Sequence, residues 1–214
     1  MKVKSEILSL YAITDRTWLK NRRLIDDLEL ALLGGATIVQ LREKELAEEL
    51  FLKEAKELKL VCDNYNVPLI INDNVEIAKL IDASGVHIGQ SDTEIKEARE
   101  KLGEDKIIGV SVRTVEEALK AQKSGADYLG VGAVFSTSTK KDAKTIGLKA
   151  LKAICQNVNI PVVAIGGINK NNMVELEDSG IVGVALISAI FAKKDIKRST
   201  EDLKKIAQEL FVNK

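Results

Sequence analysis

The sequence predicts a (β/α)8 barrel, forming one catalytic domain over residues 1–214. Three observations carry that expectation. Eight short apolar, β-branched runs alternate with charged segments whose apolar residues recur at helical spacing. The runs are continuous rather than alternating, as strands buried on both faces require. Four polar clusters follow directly after such runs: Gln40-Leu41-Arg42-Glu43-Lys44, Asn72-Asp73, Gln90-Ser91-Asp92 and Ser136-Thr137-Ser138-Thr139-Lys140. In a parallel barrel those positions form one rim, where rigid strand ends and converging loops carry the chemistry.

The elements follow in order. A first strand over 10–14 leads into Asp15-Arg16-Thr17-Trp18. A doubly wound open sheet, the alternative architecture, would place a glycine-rich phosphate loop there. Helical spacing over 24–33 ends at Gly34-Gly35, since glycine enters the left-handed C-terminal conformation cheaply. A strand over 37–41 and a long helix over 46–65 come next. Pro68 opens the third strand, 69–71, where its missing N–H does least harm. The short gap after Asp73 admits only a helix over about 75–83 before the fourth strand, 86–88.

A helix over 94–102, a strand over 107–111 and a helix over 115–124 follow, the last closed by Ser124-Gly125. The sixth strand covers 128–131; its Gly130-Val131-Gly132 lacks the third glycine of a dinucleotide fingerprint. A helix over 148–157 precedes Pro161 and the seventh strand, 162–165. Ser179-Gly180 closes a further helical segment and leads to the eighth strand, 183–187. The closing helix, 200–211, sets Leu203, Ile206, Ala207 and Leu210 on one face.

Composition narrows the function. Lys+Arg and Asp+Glu are both 32, and aromatics are 4%, so there is neither a field nor a stacking surface for nucleic acid. No apolar stretch reaches the ~18 residues of a membrane span, and the first residues lack the apolar core of a signal peptide. Cys62 and Cys155 lie far apart in helical segments and read as buried small hydrophobes in a reducing cytosol. The expectation is a cytoplasmic protein acting on small molecules.

Asp73 and Asp92 follow neighbouring strands, so their loops can bring both carboxylates to one cation. With no histidine or thiolate cluster beside them, they suit a hard ion such as Mg2+. The structural alternative is that each caps the helix after it. Arg42, Lys44 and Lys140 supply positive charge. A pyrophosphate monoester of about three negative charges, the two aspartates, one Mg2+ and three basic side chains would roughly balance, and a buried imbalance costs several kcal/mol. Solvated surface charge is the commoner role for any one of the three.

Gly166-Gly167-Ile168-Asn169 after the seventh strand and Ser188 after the eighth match the usual phosphate cradle of a barrel. Two anionic subsites favour joining two substrates with loss of pyrophosphate. His87, the one histidine, lies within the fourth strand and reads as a hydrogen-bonded core residue. The polar, lysine-rich stretch 136–144 reads as a lid that would bring Lys140 over the pyrophosphate; a solvated loop is the bland alternative.

Together these residues resemble the thiamine phosphate synthase family, in an ordered series over nearly the whole chain. The series runs through Tyr11-Ala12-Ile13-Thr14-Asp15, Gln40 to Lys44, Ile71-Asn72-Asp73, Gly85-Val86-His87-Ile88-Gly89-Gln90-Ser91-Asp92 and Gly109-Val110-Ser111. It continues with Phe135 to Ala143, Gly166-Gly167-Ile168 and Ile187-Ser188-Ala189-Ile190. The resemblance implies a transferase that joins hydroxymethylpyrimidine pyrophosphate to hydroxyethylthiazole phosphate, giving thiamine phosphate and pyrophosphate.

The resemblance also implies that Asp73 and Asp92 hold Mg2+. It assigns Gln40, Leu41, Arg42, Glu43, Lys44, Asn72, Ser111 and Lys140 to the pyrimidine pyrophosphate, with Arg42, Lys44, Ser111 and Lys140 carrying the chemistry. Thr137, Ser138, Thr139, Gly167, Ile187 and Ser188 would hold the thiazole phosphate. Two positions depart from the family: Arg113 replaces a usual histidine and Ala133 a usual proline. The related thiazole tautomerase is thought to use that histidine, so Arg113 argues against it. A non-catalytic thiamine phosphate binder would be expected to lose a metal carboxylate or Lys140, and both remain.

Overall fold

Eight parallel strands close on themselves in chain order, each paired with its sequence neighbour and the first with the last. They are β1 Leu10–Ile13, β2 Ile38–Leu41, β3 Leu69–Asn72, β4 Gly85–Ile88, β5 Ile107–Val112, β6 Tyr128–Gly132, β7 Val162–Ile165 and β8 Gly183–Leu186. The outer layer holds α1 Leu24–Leu33, α2 Glu48–Asn64, α3 Val75–Leu80, α4 Ile95–Leu102, α5 Val115–Lys123, α6 Gly147–Asn157, α7 Ser188–Phe191 and α8 Ile196–Ala207. The structure is a computed structural model and describes residues 3–19, 21–90, 92–137 and 144–212.

Strand side chains alternate between two cores. Tyr11, Ile13, Ile38, Ile70, Ile107, Tyr128, Val163 and Ala185 fill the barrel interior. Leu10, Ala12, Val39, Leu41, Ile71, Val86 and Ile108 point outward under the helices. There they meet stripes such as Phe51, Ala55, Leu58 and Cys62 of α2. The same parity carries the inward column up to polar residues at the carboxyl ends: Ile38 is followed by Gln40, Ile70 by Asn72, and Ile107, after Gly109, by Ser111. The strand period thus builds an apolar floor with a polar rim above it.

Two glycines make room for large rings inside the barrel. A Cβ on Gly109 would lie 2.1 Å from Cζ of Tyr128, and one on Gly130 would lie 2.9 Å from Cε1 of His87. Pro68 and Pro161 precede β3 and β7 as expected, each contributing only its carbonyl, to Val39 and Leu129. Gly35 and Gly125 turn the chain out of α1 and α5 at φ of 96° and 97°.

The structure departs from the sequence reading in three places. Between β7 and β8 there is only a 3-10 turn, Met173–Leu176. The closing helix starts at Ile196, where the Asp195 side chain accepts from the N–H of Arg198 at 2.9 Å. Cys155 is half-buried rather than buried, and neither it nor Cys62 forms a disulfide.

Candidate functional site

At the carboxyl ends of the strands lies a cavity of about 510 Å3, a size suited to small-molecule substrates. Of the residues expected at the site, Gln40, Arg42, Lys44, Asn72, Asp73, Asp92, Ser111, Thr137 and Ile187 line it. Leu41 and Glu43, expected at the pyrimidine pyrophosphate, do not. Leu41 has outward parity and is fully buried in the core beneath the helices. The Glu43 carboxylate accepts from Nε of Arg16 at 2.8 Å, and the same guanidinium donates to Glu54 at 2.5 Å. Burial holds the Glu43 carboxyl above its usual pKa despite the pull of Arg16.

Gly166 and Ile187 also line the cavity, whereas Gly167 and Ser188, expected at the thiazole phosphate, do not. A Cβ on Gly167 would come within 2.4 Å of the Ser136 carbonyl oxygen, so this glycine is set by close packing of two loops. Ser188 opens the short α7. Ser138, Thr139 and Lys140 lie outside the described residues, as do Ser91 and most of the expected lid, 138–143.

The acidic pair takes its geometry from β3 and β4. Asp73 adopts a left-handed φ of 61°, which Asp tolerates better than most residues. Its N–H donates to the His87 carbonyl at 2.9 Å, and Asn72 Nδ2 donates to its Oδ2 at 2.6 Å. Oδ2 of Asp92 accepts the N–H of Gly89 at 2.6 Å. Neither carboxylate caps a helix. Asn74 caps α3 through the N–H of Ile77, and the residue at the start of α4 is Glu94. The capping alternative therefore falls, and both carboxylates face the cavity.

Burial, then the facing Asp92 carboxylate, push the Asp73 carboxyl up to about 6, with Lys44 and Asn72 pulling it down. A carboxyl raised by burial and by a facing carboxylate marks a site short of positive charge. Among the described residues no third His, Cys, Asp or Glu joins them. Two carboxylates and an amide are hard oxygen-donor chemistry, which fits Mg2+ completed by substrate oxygens and water.

Beside the pair, a chain of hydrogen bonds crosses the barrel. Gln40 Nε2 donates to the Tyr11 hydroxyl at 3.0 Å, and the Tyr11 and Tyr128 hydroxyls are 2.8 Å apart. Tyr128 lies 2.9 Å from Nδ1 of His87, whose Nε2 is 2.9 Å from Oγ of Ser111. Burial lowers the His87 pKa to about 4, against a smaller pull from Asp92, and keeps the ring neutral. Burial also raises both tyrosines. His87 is the hydrogen-bonded core residue expected, and its ring also lines the cavity floor.

Sequence reasoning gave no site role to Tyr11, Arg113 or Glu117 and named Gln90 only within a rim cluster; all four line the cavity. Tyr11 was legible in principle, since it shares the inward parity of Ile13. Gln90 reaches across to β5, donating to the Ser111 carbonyl at 2.8 Å. Arg113 lies just past the end of β5, with its N–H held by Glu117 Oε2 at 2.6 Å. Arg113 and Glu117 add one charge of each sign, leaving the balance of the rim unchanged.

Fold and site together define a barrel enzyme whose C-terminal rim gathers two carboxylates, several cations and directed hydroxyls for small anionic substrates. The family model described as thiamine monophosphate synthase matches residues 10–190, and the chain belongs to that family. It is 53% identical over 195 residues to a thiamine-phosphate synthase of Clostridium tetani, covering 91% of this chain and 93% of that one. It is 50% identical over 213 residues to the thiamine-phosphate synthase of Ruminiclostridium cellulolyticum, covering 99% and 100%. A solved thiamine phosphate pyrophosphorylase of Pyrococcus furiosus superposes with a TM-score of 0.89 at 42% identity, over 96% of this chain and 98% of that one.

Proposed function

We propose that this chain, as one catalytic domain over 1–214, joins hydroxymethylpyrimidine pyrophosphate to hydroxyethylthiazole phosphate, releasing thiamine phosphate and pyrophosphate. It is an alkyl transferase of thiamine biosynthesis. The observation that carries the residue-level account is the facing Asp73–Asp92 pair in one cavity with Arg42, Lys44 and Ser111.

Asp73 and Asp92 would hold Mg2+, which supplies charge neutralisation for the departing pyrophosphate. Arg42 and Lys44, with Lys140 from beyond the described residues, bind and stabilise the same anion. Gln40, Asn72 and Ser111 orient the pyrimidine pyrophosphate. The C–O bond to pyrophosphate breaks first, leaving a resonance-stabilised pyrimidine cation and sending the electron pair to pyrophosphate. The thiazole nitrogen, held in line, donates its lone pair to that cation. No proton must be removed for this bond to form, which suits a cavity whose only histidine is buried and neutral.

Thr137 and Ile187 would take the thiazole side, where Gly167 lets two loops pack closely and Ser188 opens the helix after β8. We assign Ser138 and Thr139 to the same phosphate. Arg113 cannot serve as a base near neutral pH, which disfavours the tautomerase. Two unpaired cysteines accord with a reducing cytosol, and among the described residues no helix is long and apolar enough to cross a membrane.

The test is pyrophosphate release with both substrates, with and without Mg2+. Release that needs both substrates and the metal, alongside thiamine phosphate, supports the reading. Folded protein that binds thiamine phosphate but never forms it would replace catalysis with simple binding.

A further inference from the structure

The chain of hydrogen bonds under the cavity has a direction, and one end decides it. Gln40 contributes its amide nitrogen, which only donates, so the Tyr11 oxygen accepts there. Tyr11 has a single hydroxyl proton, and the polar group beside it is the Tyr128 oxygen at 2.8 Å. Donation from Tyr11 to Tyr128 leaves the Tyr128 proton for Nδ1 of His87 at 2.9 Å. An Nδ1 that accepts forces the neutral imidazole to carry its proton on Nε2. That N–H donates to Oγ of Ser111 at 2.9 Å. Ser111 then has one proton still to place, and its exposed side chain lies on the cavity wall.

The reverse order meets a physical penalty. If His87 carried its proton on Nδ1, it would donate to Tyr128, and Tyr128 would donate to Tyr11. The Tyr11 oxygen would then accept twice, with its own proton buried and without an acceptor among these contacts. Tyr11 is 1% exposed, so water does not relieve that loss. His87 is buried and both its ring nitrogens meet neutral hydroxyls, the surroundings of the neutral ring that both orders assume.

We infer that the Gln40–Tyr11–Tyr128–His87–Ser111 chain is polarised outward, fixing the Nε2–H tautomer of His87 and committing the Ser111 hydroxyl to donate into the cavity. An outward donor matches an acceptor-only oxygen, such as a phosphate oxygen, or an unprotonated ring nitrogen. Tyr11, Tyr128 and His87 are thereby positioning residues acting through Ser111. The donor role of Ser111 rests on the proposed function; the polarity of the chain does not.

The chain carries one histidine, so its imidazole nitrogens can be read without assignment ambiguity. Long-range proton–nitrogen NMR of the ligand-free, 15N-labelled protein near neutral pH is the decisive measurement. The expected spectrum has a protonated Nε2 and an unprotonated Nδ1. A protonated Nδ1, or an averaged pair of tautomers, overturns the polarity. In turnover, Tyr128→Phe should lower kcat about tenfold, the rate equivalent of about one neutral hydrogen bond. The same substitution on a Ser111→Ala background should cost nothing further, because the relay then has nothing to aim.

A full additional loss in the double variant would show that Tyr128 acts independently of Ser111 and would overturn the positioning role. The wild-type spectrum needs no variant, so a Tyr128→Phe protein that fails to fold leaves the test intact. A wild-type protein that releases no pyrophosphate would sink the proposed function, while the NMR experiment would still decide the polarity.

Discussion

Lowering the pH from 7 to 5 should weaken Mg2+ binding to the ligand-free protein about tenfold. Asp73 is pushed up to about 6, from an ordinary value of 3.8, by burial and by the facing Asp92 carboxylate. Metal and proton compete for that carboxylate, so binding requires the deprotonated form. At pH 7 about one Asp73 in eleven carries a proton; at pH 5 it is about ten in eleven. The apparent dissociation constant scales with the reciprocal of the deprotonated fraction and rises about tenfold. A carboxylate at 3.8 would change its affinity by less than about a tenth over the same range.

The sign is set by the direction of the shift: a raised acid holds its proton to higher pH, so binding strengthens as pH rises through about 6. Calorimetric titration of Mg2+ in buffers of different ionisation enthalpy reads both quantities. Affinity should fall at low pH, and binding at pH 5 should release about one proton. Asp92→Asn should bring the Asp73 carboxyl down only in part, because burial is the larger cause. An affinity flat between pH 5 and 7, with no proton released, would refute a metal held by this facing pair.

Three further outcomes can be checked. Arg42→Ala should raise KM for the pyrimidine pyrophosphate about tenfold, as expected for loss of one contact to a charged group, with the melting temperature preserved; unchanged kinetics would remove Arg42 from substrate binding. Gly130→Ala places a Cβ 2.9 Å from Cε1 of His87, and thermal unfolding should show the cost. About 2 kcal/mol is expected, or Tm lower by about 4–8 °C; an unchanged Tm would mean the ring yields freely. Burial pushes the thiols of Cys62 and Cys155 up to about 12 and about 11, so a thiol reagent should label half-buried Cys155 slowly in native protein and Cys62 only after unfolding.

Much of the architecture was legible because it follows from local rules. Continuous apolar runs, helical spacing and glycine at helix ends are short-range signals, and all eight strands appear where those signals lie. The misplaced ends are equally instructive. The turn Met173–Leu176 carries helix-like apolar spacing, yet it forms only one 3-10 turn. The closing helix starts early because Asp195 caps it, a signal the apolar face alone did not reveal.

By itself the sequence determined the barrel, its parity and part of the rim. A period of two sends Gln40, Asn72 and Ser111 inward and sends Leu41 outward, away from the site assigned to it by motif. Only the tertiary structure decided which polar groups meet. Glu43 is claimed by Arg16, 27 residues away, and Tyr11 meets Tyr128 across 117 residues. Asp73 gains its raised pKa from its own burial and, less, from Asp92 on the next loop. Such pairings depend on barrel closure and on distances of a few ångströms, because hydrogen bonds and desolvation act only at contact range.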